Sequence, residues 1–538
     1  MPTLTIDSRL VEVPAGTNLI EAAQQVGVQI PHYCYHPRLS IVGQCRMCLV
    51  KIEGVPKLQA ACSTEVTGDG MVVLVDDPEV QAAQEGVMEF LLINHPLDCP
   101  ICDQAGECGL QDYSFKHGES FSRFVYEEKR TYPGRERIPL GPHILLNMNR
   151  CIQCTRCIRF TEEITGTGEL GFFERGARTE IGVFPGKELD NELSTCVVDL
   201  CPVGALTSTQ FRFAERVWYL EKVPSICTGC DVGCNITLEH REGKIRRYKP
   251  RANPEVNDYW MCDYGRSTAL RYTVATRLAA PRRRRDLATG DSISWNRALG
   301  LAFQKMLDAG SSLALLGSPY LSTEEAFLLA RAAELFGSPH RAVWTEEGPE
   351  RAIPNPGGGI SGREAAPNRR GAELAGLVPD PGGRTAEQLL TGDGAAGCRC
   401  LFVADGDPGS SIHSAEIVER LRAAETLIVM GWAETPLTAV ADVALPSATH
   451  AEKQGTFVNV QGRIQRFERA FPPIGEARPG IDILLDLLRR FDPRWETLDT
   501  ARVFRRLATT LMGMPSAELD RLPAHGFEVP ALAEERPE

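Results

Sequence analysis

Long apolar runs and excess basic charge are both missing from this 538-residue sequence. No stretch reaches the eighteen or so apolar residues that crossing a bilayer requires. The opening, MPTLTIDSRLVEVPAG, has neither a basic leader nor the apolar core of a secretion signal. By its own sequence the chain is expected to be neither secreted nor membrane-embedded. A formal net charge of −13 disfavours a nucleic-acid surface. The one basic run, at residues 282–285, follows Pro281 between two segments and reads as a solvated linker face. Aromatic residues are few, at 7%, yet the apolar (43%) and charged (24%) fractions are ordinary for a globular protein, and the length allows several domains with their own cores.

Cysteine is abundant: eighteen in all, sixteen of them before residue 263. Without a secretion signal they belong to a reducing compartment, where C-x-x-C pairs point to metal or redox chemistry rather than to disulfides. Residues 3–13 alternate as a strand hairpin around Asp7 and Ser8, and residues 18–27 follow as an amphipathic helix. That order is a β-grasp order, and it leads into Cys34, Cys45, Cys48 and Cys62. Gly43 would let the backbone turn sharply before Cys45. Four thiolates suit a [2Fe–2S] centre or a zinc ion, and the strand–helix order before the loop favours iron.

The second group lies in NHPLDCPICDQAGEC. Asp77 and Pro78 open a helix as N-cap and first residue, with Val80, Val87, Phe90 and Leu91 as its apolar stripe. The helix runs to His95 and stops at Pro96. Alone, His95 reads as a cap on the helix C-terminus. Beside Cys99, Cys102 and Cys108 it becomes the nearest candidate for a fourth ligand, with zinc still an open alternative.

CIQCTRC supplies Cys151, Cys154 and Cys157, and CPVGAL supplies Cys201. In a two-cluster ferredoxin the run C-x2-C-x2-C-x3-C-P repeats, and the fourth cysteine of each run ligates the other cluster. Here the fourth place of the first run is Thr161, and the first three places of the second are Asn191, Ser194 and Val197. All ligands of one cluster are absent and all of the other are present, so a single [4Fe–4S] centre is expected. Cys196 falls out of register and reads as a free buried thiol. Cys227, Cys230, Cys234 and Cys262 form a fourth group whose spacing fits a zinc ribbon as well as a cluster.

The order of these four groups resembles the large iron–sulfur subunit of NADH:quinone oxidoreductase, respiratory complex I. The resemblance implies a multidomain α+β and α/β chain. Its parts would be a β-grasp [2Fe–2S] domain at 1–76, a one-His/three-Cys [4Fe–4S] segment at 77–140 and a ferredoxin-like [4Fe–4S] domain at 141–215. A [4Fe–4S] domain of molybdopterin-enzyme type at 216–272 and a shortened molybdopterin-oxidoreductase-like doubly wound region at 273–538 would complete it. It further implies one [2Fe–2S] and three [4Fe–4S] clusters, with His95 a true iron ligand.

The back half carries the likeness more weakly. LALLGSPYLSTEEAFLLARAAELFGSP reads as strand, turn and helix, with Ser322 and Glu325 as a capping box and Gly337 ending the helix. CLFVADGDPG, TLIVMGW and ADVALPSATH continue the alternation. Residues 346–397, dense in Gly and Pro, are expected to form long surface excursions. Cys398 and Cys400 read as ordinary thiols, and the loop at Gly406 and Gly409 is too weak a signal for a nucleotide. Where molybdenum enzymes carry lysine in C-x-K-G-R, this chain has Tyr264, so no molybdopterin is expected.

No residue set suggests a flavin, a hydride acceptor or a quinone pocket, so catalytic residues are expected to be none and the resemblance implies a relay. A flavin/NADH-binding subunit would deliver single electrons, and a ferredoxin-like subunit would carry them on to a quinone-site subunit. The chain would touch no nucleic acid and would reach a membrane only through partners, in a peripheral arm on the cytoplasmic face. The alternatives are an electron-input subunit of an NAD-linked hydrogenase or formate dehydrogenase, and a zinc-stabilised scaffold.

Overall fold

A computed structural model describes residues 1–284, 291–404, 406–496, 498–530 and 532. They divide into two units, Met1–Leu220 and Glu221–Glu538.

In the first unit, Asp7 (φ 43°) and Ser8 (φ 68°) both take the left-handed conformation. That is the requirement of a two-residue hairpin between Thr3–Ile6 and Arg9–Glu12. The Asp7 carboxylate accepts the Val75 and Asp76 N–H groups at 2.7 and 3.2 Å, tying the turn to the end of Met71–Leu74. Thr3–Ile6 and Met71–Leu74 pair in parallel, and Leu49–Ile52 and Gln59–Ala60 complete a five-stranded sheet. Helix Leu19–Gln25, capped by Asn18, buries Leu19, Ile20, Ala22 and Ala23. The expected β-grasp order is therefore present.

Helix Pro78–Ile93 starts as expected, with the Asp77 side chain accepting from the Glu79 N–H. Its buried stripe differs: it is Val80, Gln84 and Met88, while Phe90 is 78% exposed. Residues spaced by four share one face, and Phe90 lies roughly 200° around the helix from Met88.

The second unit begins with a three-stranded antiparallel sheet, Glu221–Ile226, Asn235–Arg241 and Lys244–Pro250. A seven-stranded sheet follows, in the order Asp291–Ser292, Arg282–Arg283, Val443–Pro446, Leu427–Gly431, Cys400–Ala404, Leu313–Gly317 and His340–Val343. The last five are parallel. Helices Trp295–Ala309, Thr323–Leu335, Gly480–Phe491 and Thr500–Thr510 pack one core, and a second core holds Leu389, Val418 and Leu437. The chain order reverses between Leu313–Gly317 and Cys400–Ala404, the point where a doubly wound sheet opens its ligand crevice.

Two expectations fail here. Arg282–Arg283 is a short strand paired with Asp291 and Ser292 on one side and with Val443 and Ala444 on the other rather than a solvated linker, and the Arg282 guanidinium meets Glu434. Arg285, the last residue of that basic run, lies outside the described residues. Residues 346–397 are not surface excursions either. Glu347–Ile353 and Ile360–Glu364 form a hairpin, helices Arg369–Leu374 and Ala386–Thr391 follow, and Ile353, Ile360, Asn368, Ala372 and Leu389 are buried. The glycines and prolines there punctuate short packed elements.

Glu324, in the first turn of helix Thr323–Leu335, is fully buried and accepts from the Thr456 N–H (3.0 Å) and hydroxyl (2.8 Å). Burial raises its pKa from 4.5 to about 7. The unfolded chain therefore ionises first, and stability is lost as pH rises from about 4.5 to about 7. Glu324→Gln keeps both hydrogen bonds because the Thr456 hydroxyl can rotate. It is expected to raise the melting temperature at pH 8 and to leave it nearly unchanged at pH 4.5; equal shifts at both pH values would contradict this.

Candidate metal centres

The β-grasp loop brings its four cysteines together as two pairs. The Cys34 and Cys45 thiols hydrogen-bond to each other, as do Cys48 and Cys62. Gly43 (φ 60°) and Arg46 (φ 56°) give the loop its turns, and the Tyr33 N–H points at the Cys45 sulfur at 3.5 Å. The hydrogen bond from Cys34 brings Cys45 down to about 5, and that from Cys48 brings Cys62 down to about 7. Two pairs suit two irons, each taking two thiolates, whereas zinc would draw all four to one point. Among the described residues no three His, Cys, Asp or Glu side chains converge as they would on a single ion.

His95 follows the C-cap Asn94 of helix Pro78–Ile93. The helix's last carbonyls are capped by Lys129, whose Nζ donates to the Leu92 and Ile93 carbonyls, both at 2.8 Å. His95 is thereby left for another role. Burial lowers its pKa to about 4, assisted by Arg150 and Lys129 and opposed by Asp98, so the imidazole stays neutral, the form that binds metal. Cys99 opens the turn Cys99–Ile101, Cys102 ends it, and Cys108 caps helix Gly109–His117. Burial pushes Cys108 up to about 11. His95, Cys99 and Cys108 line one cavity of about 790 Å³, and Cys99 is exposed.

A glycine missed by the sequence reading closes this group. A Cβ on Gly204, in CPVGAL, would collide with the Cys102 sulfur, so the segment after Cys201 packs directly on a member of the His95 group. Only the absence of a side chain permits that approach. Gly204→Ala is expected to abolish the His95 centre while the two-iron centre persists. Electron paramagnetic resonance (EPR) spectra identical to wild type would refute it.

Cys151, Cys154, Cys157 and Cys201 line a single cavity with apolar walls from Leu146, Ile152, Ile181, Val203 and Leu206. Left-handed Gln153 (φ 55°) and Thr155 (φ 65°) curl the loop, and the Gln153 N–H donates to the Cys151 sulfur at 3.3 Å. Burial and then the neighbouring Cys154 thiol push Cys201 up to about 12. Thiols so placed ionise only beside a strong positive charge such as a metal. The four would-be ligands of a second cluster are replaced by packing. Thr161, Ser194 and Val197 are fully buried, the Thr161 hydroxyl donates to the Ile158 carbonyl (2.9 Å), and Asn191 donates to Glu169 (2.8 Å). Cys196, at the start of helix Cys196–Leu200, is buried.

In the second unit Cys227, Cys230 and Cys234 sit in the turn between Glu221–Ile226 and Asn235–Arg241, and Cys262 caps helix Asp263–Val274. All four are buried and lie in one another's electrostatic field. The Gly229 N–H donates to Cys227 (3.4 Å) and the Gly265 N–H to Cys262 (3.3 Å). Such donors favour thiolate over thiol. Tyr264 is held between Arg351, 3.8 Å above its ring, and Arg271, which donates to its hydroxyl. At the sheet's reversal point, Tyr272, Tyr320, Trp432 and His450 fill the crevice, leaving a water-sized cavity of about 10 Å³. Cys398 and Cys400 are buried, with Arg384 2.7 Å from the Cys398 sulfur.

Residues 1–78 match the family described as 2Fe-2S iron-sulfur cluster binding domain, and residues 84–123 the NADH-ubiquinone oxidoreductase-G iron-sulfur binding region. Residues 141–207 match the NADH-quinone oxidoreductase subunit 3, ferredoxin-like domain. Residues 220–272 and 379–490 match the molybdopterin oxidoreductase Fe4S4 domain and molybdopterin oxidoreductase, respectively. A Rickettsia felis protein, named as the G-type subunit of NADH-quinone oxidoreductase, is 34% identical over 90% of this chain and 87% of its own. The 78 kDa mitochondrial subunit of NADH-ubiquinone oxidoreductase from Neurospora crassa is 44% identical over 63% of this chain, a match that spans only 45% of its own length. A solved chain of an NAD+-reducing [NiFe]-hydrogenase matches at 28% identity over 40% of this chain and 91% of its own, with a TM-score of 0.35, too low to bear on fold or function.

Proposed function

The chain belongs to the family of the G-type iron–sulfur subunit of NADH-quinone oxidoreductase, and from that membership we propose that it is an electron-relay component of such an oxidoreductase, with no substrate site of its own. Both two-iron and four-iron cluster domains are present. We assign Cys34, Cys45, Cys48 and Cys62 to one [2Fe–2S] cluster. Three [4Fe–4S] clusters fall to His95 with Cys99, Cys102 and Cys108, to Cys151, Cys154, Cys157 and Cys201, and to Cys227, Cys230, Cys234 and Cys262. When bound, such clusters take and release one electron at a time, the chemistry needed between a flavin/NADH-binding subunit and quinone.

The observation that carries this reading is the difference between the groups: two hydrogen-bonded thiol pairs in the β-grasp loop, and four thiols around a single apolar cavity in the ferredoxin-like segment. A zinc scaffold gives no reason for that difference. The chain's part is to bury the thiols and to aim N–H groups at their sulfurs. It also brings one group to the surface, where Cys99 is exposed beside Leu97 and Phe115. Exchange with another chain needs such exposure, and the partner placed there is the ferredoxin-like subunit. The Cys227 group, deep in the second unit, is assigned a structural role. We divide the chain into five segments at residues 76, 140, 215 and 272, the fourth of which, 216–272, crosses the boundary between the two units after Leu220.

Among the described residues no helix is long and apolar enough to cross a membrane. From the family membership we place the chain in a peripheral arm on the cytoplasmic face, reaching the membrane and the quinone-site subunit through partners. The packed Thr161, Ser194 and Val197 weigh against the hydrogenase and formate dehydrogenase alternatives that keep both ferredoxin clusters. Iron and acid-labile sulfide analysis tests the whole assignment: about fourteen irons per chain are expected from one two-iron and three four-iron centres. Zinc without sulfide would establish the scaffold instead.

A further inference from the structure

We propose that Arg156 is a positioning residue shared by the two-iron group and the ferredoxin-like group, holding their thiols in register and favouring the reduced state of both by its fixed positive charge. The inference rests on the ligand sets proposed above. Arg156 stands between Cys154 and Cys157 in CTRC. One guanidinium nitrogen donates to the Leu200 carbonyl at 3.3 Å, the residue before Cys201. The other donates to the Tyr35 carbonyl, the residue after Cys34. A planar fork can reach two acceptors on different segments at once, and an ammonium in its place would keep the positive charge between the two groups.

Its surroundings are unusual for an arginine. Burial lowers its pKa, and its main electrostatic neighbours are Cys154, Cys34, Cys201 and Cys45, two thiols from each group, with no carboxylate among them. Its Nε is buried without a hydrogen-bond partner. A cation placed so is costly to desolvate unless negative charge faces it. One helical turn on, Arg159 repeats the link, donating to the Cys34 carbonyl at 2.5 Å and to the Ser40 carbonyl. Adding an electron to either group makes it more negative, so a cation between them stabilises both reduced forms.

The test is a redox titration followed by EPR on the full chain with its clusters, using dithionite as reductant. In Arg156→Gln both the two-iron and the Cys201-containing centre are expected to shift to lower midpoints, and Arg156→Lys is expected to recover most of both shifts. A shift confined to one centre, or none with both signals intact, overturns the proposal. Should Arg156→Gln lose a signal, Arg156→Lys decides alone: both centres present near wild-type midpoints support the proposal, and one centre lost or displaced by itself overturns it. Absence of either signal from the wild-type chain would be a failure of the ligand assignment, which is a separate result.

Discussion

His95→Cys is expected to keep a four-iron centre in place and to lower its midpoint by roughly 100 mV or more, whereas His95→Ala should remove about four irons per chain. The expectation follows from charge. Burial holds the His95 pKa near 4, so at neutral pH the side chain meets its site as an uncharged imidazole with one ring nitrogen free of a proton. A thiolate in its place adds one negative charge, which disfavours taking up an electron. Exchange in the opposite direction, at two positions, accounts for the high potentials of Rieske centres relative to plant-type ferredoxins. Arg150 and Lys129, which help lower the His95 pKa, would offset part of the added charge, so the shift should be smaller than the Rieske comparison suggests. Redox-titrated EPR with iron analysis reads both variants. A midpoint that stays put in His95→Cys would sink the electrostatic account, and full iron in His95→Ala would remove His95 from the ligand set.

What was legible in the sequence was local. The Asp7–Ser8 hairpin, the Asp77 cap and the Ser322/Glu325 capping box each need only residues within a few positions of one another, and all appear in the structure. The thiol groups were legible for a related reason, since ligand spacing is short-range apart from Cys62, Cys201 and Cys262. What escaped depends on distant partners. Lys129 caps a helix whose last carbonyl lies 36 residues earlier, and nothing in the histidine's own neighbourhood announces that the helix end is capped by another residue. Gly204 matters only because Cys102 arrives beside it. The arginines at 282 and 283 look like a solvated run until Val443 and Ala444 offer a strand edge. CPVG and CTRC did carry a weak signal: a glycine and an arginine inside tight cysteine runs are residues worth asking about.

Lys453→Met is expected to destabilise the second unit by about 3–5 kcal/mol, the cost of stranding a buried charge. Lys453 Nζ lies 2.8 and 2.6 Å from the two oxygens of Glu325, with side-chain exposures of 8% and 1%. Glu325 is also the far half of the capping box: it accepts the Ser322 N–H at 2.8 Å, and its own N–H donates to the Ser322 hydroxyl at 3.2 Å. A carboxylate so enclosed cannot turn to water when the ammonium is removed, because Gly480 packs against it and helix Thr323–Leu335 depends on it for its first turn. The loss therefore reaches beyond one ion pair to the helix at the centre of the larger core. Pairing Lys453→Met with Glu325→Gln removes both charges and keeps an acceptor for Ser322, so most of the stability should return. Thermal midpoints are the quantity to compare, since a unit of this size need not unfold in two states. A single variant that melts with wild type, or a double variant no better than the single, would show that the pair does not hold this core together.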